Sequence, residues 1–206
     1  MNDTAAAPWI VVKLGGSLAG DPSLAHWLRE LARNDSTRFV AVPGGGPFAD
    51  AVRAAQARWG FSDEVAHVMA IGAMDQFGHM LCGIEVGSIP CSTLREIEQV
   101  RGSRRLPVWL PGRLMADDRR LARNWDVTSD TIAAWLADAL GAIGLVLVKS
   151  CDLRRAPADA AALAAAGVVD PALPVFLSGR KFAFQVVQKD QWGDFKDVVT
   201  RMRRRV

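Results

Sequence analysis

The sequence predicts an α/β protein built around a parallel sheet, and three observations carry that prediction. Short apolar runs alternate along the chain with segments of helical periodicity. Two of the runs, Trp9–Leu14 (WIVVKL) and Arg38–Val42 (RFVAV), stop abruptly at Gly15-Gly16 and at Pro43-Gly44-Gly45-Gly46. A third, Ile143–Lys149 (IGLVLVK), is almost continuously apolar, as a strand covered on both faces requires.

Each element has its own signal. Trp9–Leu14 reads as a buried strand. Asp21-Pro22 places an N-cap before a proline at the first helical position, and Leu24, Trp27, Leu28 and Leu31 give the helix through Arg33 an inward face. Arg38–Val42 is a second strand, and a helix over Phe48–Trp59 follows its glycines. Ser62 is expected to cap a long helix from Asp63 to Leu81. Strands are expected at Gly83–Ile89 and Leu106–Leu110. Thr128 is expected to cap a helix reaching Leu140, ahead of the strand Ile143–Lys149. An Ala-rich helix over Ala158–Ala166, strands at Val175–Leu177 and Phe182–Val187, and a helix over Trp192–Arg204 complete the series. No repeat or linker interrupts it, so one domain over 1–206 is expected, large enough at 206 residues and 50% apolar content for a single core.

Composition narrows the function. A formal net charge of +3 is too small for a nucleic-acid binder. The basic residues Arg201, Arg203, Arg204 and Arg205 are expected to form a solvated, dipole-compensating helix end. Three cysteines in odd number, with no C-x-x-C pair, predict neither a disulfide framework nor a zinc cluster and fit a reducing cytoplasm. The first residues, MNDTAAAPWIVVKLGG, lack the basic stretch of a signal peptide, and no apolar run is long enough for a bilayer. A soluble cytoplasmic protein without a membrane partner is expected.

The chemistry is expected at the strand ends. Glycines there let backbone N–H groups approach an anion, and a following helix N-terminus adds its dipole. Two such turns at the carboxyl edge of one sheet make a polyphosphate site. Lys13 lies two residues before Gly15 on an otherwise apolar strand, where an ammonium needs an anionic partner. Asp126 and Asp130 fall four apart around a helix start, where the dipole stabilises a carboxylate. Lys149-Ser150-Cys151-Asp152 ends the central strand with a second lysine. Each piece alone also has a bland reading: tight turns, an edge lysine, a simple helix cap. The P-loop pattern, the G-x-G-x-x-G fingerprint, H-E-x-x-H and an EF-hand loop are all absent, and no metal-ligand set is expected.

Taken in order, KLGGS, a strand ending in GGG, D-x-x-x-D opening a helix and a strand ending in K-S-C-D resemble the amino acid kinase family. The resemblance implies a three-layer α-β-α sandwich with a mostly parallel central sheet, and an enzyme that uses ATP with Mg²⁺. It further implies that Lys13 neutralises the transferring phosphoryl group and that Asp130 orients Lys13. Gly15, Gly16, Ser17, Lys149, Ser150 and Asp152 would serve the nucleotide. Gly44, Gly45 and Gly46 would hold the acceptor, with Asp126 close by. Such chemistry needs positioning and charge neutralisation more than a nucleophilic side chain.

For the acceptor, GGGPFADAVR and the segment 60–78 (GFSDEVAHVMAIGAMDQFG) look most like the branch of that family acting in methanofuran biosynthesis, which converts an aminomethyl-furan phosphate monoester to a diphosphate. His67, Ile71, Met74 and Asp75 share a helix face, where the ring would meet Ile71 and Met74 and the amine Asp75. The same residues also suit a plain core face. A small phosphate-bearing acceptor is therefore expected as partner, with a homo-oligomer implied by the resemblance. The competing readings are a kinase of the same family for a nucleotide such as UMP or for a carboxylate, and a silent nucleotide-binding protein.

Overall fold

The computed structural model describes residues 7–33, 37–116 and 118–204. Six strands form one sheet: β1 (Trp9–Leu14), β2 (Arg38–Pro43), β3 (Ser88–Cys91), β4 (Leu106–Trp109), β5 (Gly144–Lys149) and β6 (Ala183–Gln188). Their order is β3-β4-β2-β1-β5-β6, and every neighbouring pair is parallel. The chain moves outward from β1 in both directions, so a switch point lies beside the carboxyl end of β1, where open α/β sheets bind ligands.

Alternation along each strand divides the core in two. Ile10, Val12 and Leu14 join Val146 and Val148 on one face, under α1 (Ser23–Ala32) and α9 (Phe195–Arg203). Trp9 and Val11 join Leu145 and Leu147 on the other, under α6 (Ser129–Ala139) and α8 (Leu173–Leu177). Side chains two apart share a face, so Lys13 and Lys149 both fall on the α6 side. The register sets Lys13 opposite Leu147. Helix α2 (Gly46–Trp59) and the 22-residue α3 (Asp63–Ile84) border the carboxyl edge. The remaining helices are α4 (Leu94–Val100), α5 (Gly112–Met115) and α7 (Ala160–Ala165). No described helix is long and apolar enough to cross a membrane.

Two expected strands are corrected. Gly83–Ile89 is split: α3 runs on to Ile84, because Phe77, Leu81 and Ile84 continue the helical period, and β3 begins only at Ser88. Val175–Leu177 is helical, since Asp170 receives the Leu173 N–H at 3.0 Å and opens α8 there. A three-residue apolar run holds too little periodicity to separate the two states. Helix α4 was not expected, although Thr93 and Glu96 form a capping box, with Glu96 N–H on Thr93 Oγ1 at 3.1 Å and Ser92 N–H on Glu96 Oε2 at 2.6 Å. Arg203 ends α9 with a bond to Thr37 Oγ1 at 2.8 Å, while Arg205 lies outside the described residues.

Candidate active site

The two glycine turns meet. Gly44 N–H bonds Leu14 C=O at 2.9 Å, and Gly15 N–H bonds Val148 C=O at 3.3 Å, so both groups are spent inside the fold. A Cβ on Gly16 would lie 2.2 Å from Gly46 N, and one on Gly44 would lie 2.4 Å from Gly16 N. Glycine is therefore required first for backbone-to-backbone contact. Gly16 opens a short 3₁₀ turn and Gly46, with φ +55°, opens α2, where first-turn N–H groups have no partner within the helix, and both glycines line the cleft. The expectation that Gly15 and Gly44 also donate to a ligand is corrected on this point.

Between the turns lies a buried ionic cluster. Asp130, in the first turn of α6, is 2% exposed. Its Oδ1 faces Lys13 Nζ at 2.9 Å, and its Oδ2 accepts from Lys149 Nζ at 2.6 Å. The Lys13 contact is a close, buried ion pair, and an ammonium carries three donors, so one carboxylate oxygen does not exhaust it. Burial alone would push the Asp130 carboxyl up, but Lys13 and Lys149 outweigh it, and its pKa falls below the ordinary value. Burial and the Lys13 charge push Lys149 down, against the pull of Asp130. Lys149, read as a nucleotide-side residue, thus shares its carboxylate with Lys13. Ser17 and Ser150 meet through their hydroxyls at 2.7 Å at the rim, whereas Asp152 is exposed and pairs with Arg154 at 2.6 Å.

A cavity of about 250 Å³ adjoins this cluster. Gly16, Ser17, Gly45 and Gly46 line one end; Ile71, Met74, Ile132 and Trp125 wall the rest, with His67, Asp50 and Arg53 at its edge. Burial holds His67 below its usual pKa, partly offset by a bond to the Asn124 backbone. Asp75 is not part of this wall. It lies about 90° round α3 from the line through His67 and Met74, and its Oδ1 receives the Gly112 N–H at 3.0 Å, holding the start of α5. Burial raises its pKa. Asp126 is also displaced: exposed, it bonds Asn124 at 3.0 Å and offers its carbonyl to Ala172 N–H at 3.1 Å. The carboxylate that lines the cavity is Asp50.

Trp125, Arg53 and Asp170 were not anticipated. The Arg53 guanidinium lies 4.3 Å from the centre of the Trp125 ring, and Trp125 Nε1 donates to Gln56 Oε1 at 2.7 Å. Nothing in the local pattern marks Trp125. Asp170 had a signal, since Asp170-Pro171 repeats the Asp21-Pro22 pattern that opens α1. Thr128 does not cap α6 with its own side chain; the Asp170 carboxylate does so from outside the helix.

The amino acid kinase family model matches residues 8–153, well over half the chain. The chain belongs to the amino acid kinase family. The matched span holds both glycine turns, Lys13, Asp130 and Lys149. It is similar to "[5-(aminomethyl)furan-3-yl]methyl phosphate kinase" of Methanocaldococcus jannaschii, 27% identical over 144 residues, covering 69% of this chain and 66% of that relative. The match therefore spans just under two thirds of the relative's length. Among solved structures the family fold recurs in uridylate kinase from Archaeoglobus fulgidus, with TM-score 0.68, 16% identity and coverage of 93% and 95%. It recurs again in carbamate kinase from Giardia lamblia bound to AMP-PNP, with TM-score 0.58, 13% identity and coverage of 94% and 96%.

Proposed function

We propose that this chain is a kinase that transfers the γ-phosphoryl group of ATP to a phosphate monoester held in the Trp125 cavity. The observation that carries the reading is the pair of buried ammonium groups on one carboxylate, between two glycine turns and beside a cavity of ligand size. An acceptor phosphate oxygen attacks the γ-phosphorus as its bond to the β-bridging oxygen breaks, giving a diphosphate and ADP. Lys13 and Lys149 neutralise the charge that spreads over the phosphoryl oxygens, and Asp130 keeps both in place. A phosphate dianion needs no base, so the lack of a free carboxylate at the cluster is no obstacle.

On the nucleotide side, the reading gives Gly16, Ser17, Lys149 and Ser150 to the ATP phosphates and leaves Asp152 at the outer edge. Among the described residues no three His, Cys, Asp or Glu side chains gather as a metal site. Both Asp130 oxygens already face lysines, so these residues do not fit a resident Mg²⁺, and any metal enters with the nucleotide. On the acceptor side, Gly45 and Gly46 with the α2 N-terminus serve the phosphate, and Ile71, Met74, Ile132 and Trp125 flank a flat ring. A cavity of about 250 Å³ has room for a ring beside the phosphate. Together with the methanofuran-pathway relative, this supports an aminomethyl-furan phosphate as acceptor and a place in methanofuran or methylofuran synthesis. Its amine would meet Asp50. The free thiols of Cys82, Cys91 and Cys151 support a reducing, cytoplasmic setting.

Steady-state kinetics with [5-(aminomethyl)furan-3-yl]methyl phosphate and with UMP, followed by ³¹P NMR of the product, test the reading. Turnover of the furan to a diphosphate is the expected result. Turnover of UMP alone would replace the acceptor, and no turnover of any phosphate monoester would overturn the reading.

A further inference from the structure

The geometry points to Asp170 as a positioning residue of the phosphoryl-transfer site, acting through Asp130, and this rests on the kinase reading above. Asp170 lies beyond the stretch matched by the family model, between α7 and α8, and is 6% exposed. A carboxylate so buried is costly unless its oxygens are occupied. Here five donors occupy them. Oδ2 accepts from Thr128 N–H at 2.8 Å, Thr128 Oγ1 at 3.0 Å and Thr131 N–H at 3.0 Å. Oδ1 accepts from the Thr131 hydroxyl and from Leu173 N–H at 3.0 Å.

Two consequences meet at Asp130. The carboxylate of Asp170 grips Thr128, the N-cap of α6, and Thr131, which follows Asp130 in its first turn. The backbone N–H of Asp170 donates to Asp130 Oδ2 at 3.2 Å, the same oxygen that holds Lys149. Asp170 therefore fixes both the turn that carries Asp130 and the direction of its carboxylate, and with it the two ammonium groups. Burial and the nearby Asp130 push the Asp170 carboxyl up, while the bonds from Thr131 and Thr128 pull it down. Two lysines and two aspartates thus pack as one unit, and loosening the outer aspartate moves the inner three.

Asp170→Asn keeps the side-chain shape and the backbone bond to Asp130 but removes the charge and weakens the grip on α6. The expected result is a fall in kcat on the order of 10- to 100-fold, with KM for ATP and for the acceptor changed by no more than about twofold. A purely structural role would lower the melting temperature and leave kcat of the folded enzyme alone. Thr131→Val, which removes one donor and no charge, should shift kcat in the same direction by less, and it carries the test if Asp170→Asn fails to fold. The chain has only five lysines, Lys13, Lys149, Lys181, Lys189 and Lys196, so side-chain ¹³C NMR of lysine-labelled protein gives a readout independent of turnover. In Thr131→Val the Lys13 and Lys149 signals should move while those of the other three stay. Unmoved Lys13 and Lys149 signals, or an unchanged kcat, would overturn the assignment. A wild-type protein inactive on every acceptor would instead sink the kinase reading, with the lysine signals still deciding the positioning role.

Discussion

Two ion pairs at the carboxyl edge of the sheet have the same length and opposite meaning. Lys149 and Asp130 meet at 2.6 Å with side chains 14% and 3% exposed; Arg154 and Asp152 meet at 2.6 Å with 84% and 53% exposed. The exposed pair closes a turn after β5 and is screened by water, so it contributes little to stability. The buried pair carries a desolvation cost that the exposed pair does not, and the two lysines offset it at Asp130. A fold that only needed packing would fill that space with apolar side chains. Two ammonium groups held beside one carboxylate instead make a strong, pre-oriented positive field, which suits a site for transferring phosphoryl groups. Distance alone does not separate a functional pair from a surface one; burial and convergence do.

The sharpest break of this comparison is Asp130→Ala, which leaves two buried ammonium groups unpaired. It should cost about 3–5 kcal/mol of stability in urea unfolding, and a loss below about 1 kcal/mol would put the cluster in the same class as the exposed pair. A pH series sharpens it. The folded pKa of Asp130 lies below its ordinary 3.8, so its contribution is present above that pH and is lost as pH falls through the folded value. The acid limb of the variant should be shallower than that of wild type. Asp170, whose carboxyl is pushed up, works in the opposite sense and is present in both proteins.

Lys13→Ala removes charge where it is expected to act and leaves the Lys149–Asp130 pair intact. Its kcat should fall about 10²- to 10³-fold at saturating ATP in a protein that still unfolds cooperatively. Near wild-type turnover would move the charge-neutralising role to Lys149. The smallest effect belongs to the exposed pair: Asp152→Ala should leave the melting temperature unchanged, and a clear drop would show that exposure understates its role.

Much of this was legible in the sequence because it depends on near neighbours. The apolar runs of β1, β2 and β5, the glycines that end two of them and the lysines near the ends of β1 and β5 are all local facts, while the register of β1 against β5 put both lysines on one face. The Asp21-Pro22 and Ser62 signals opened α1 and α3 where expected, with Ser62 receiving the Val65 N–H. The Thr93–Glu96 and Asp170-Pro171 signals were equally local and went unread. What only the tertiary structure decided is which side chain meets which across long separations. Asp75 turned to α5, because the part of α3 that faces the cavity is set by its packing neighbours, not by its own period, and Asp50 of α2 lines the cavity instead. Gly15 and Gly44 spent their N–H groups within the fold once β1, β2 and β5 came together. Asp170 reached Asp130 across 40 residues, through a loop whose course depends on the packing of α6, α7 and α8. Periodicity is a property of the chain; convergence is a property of the core that the chain builds.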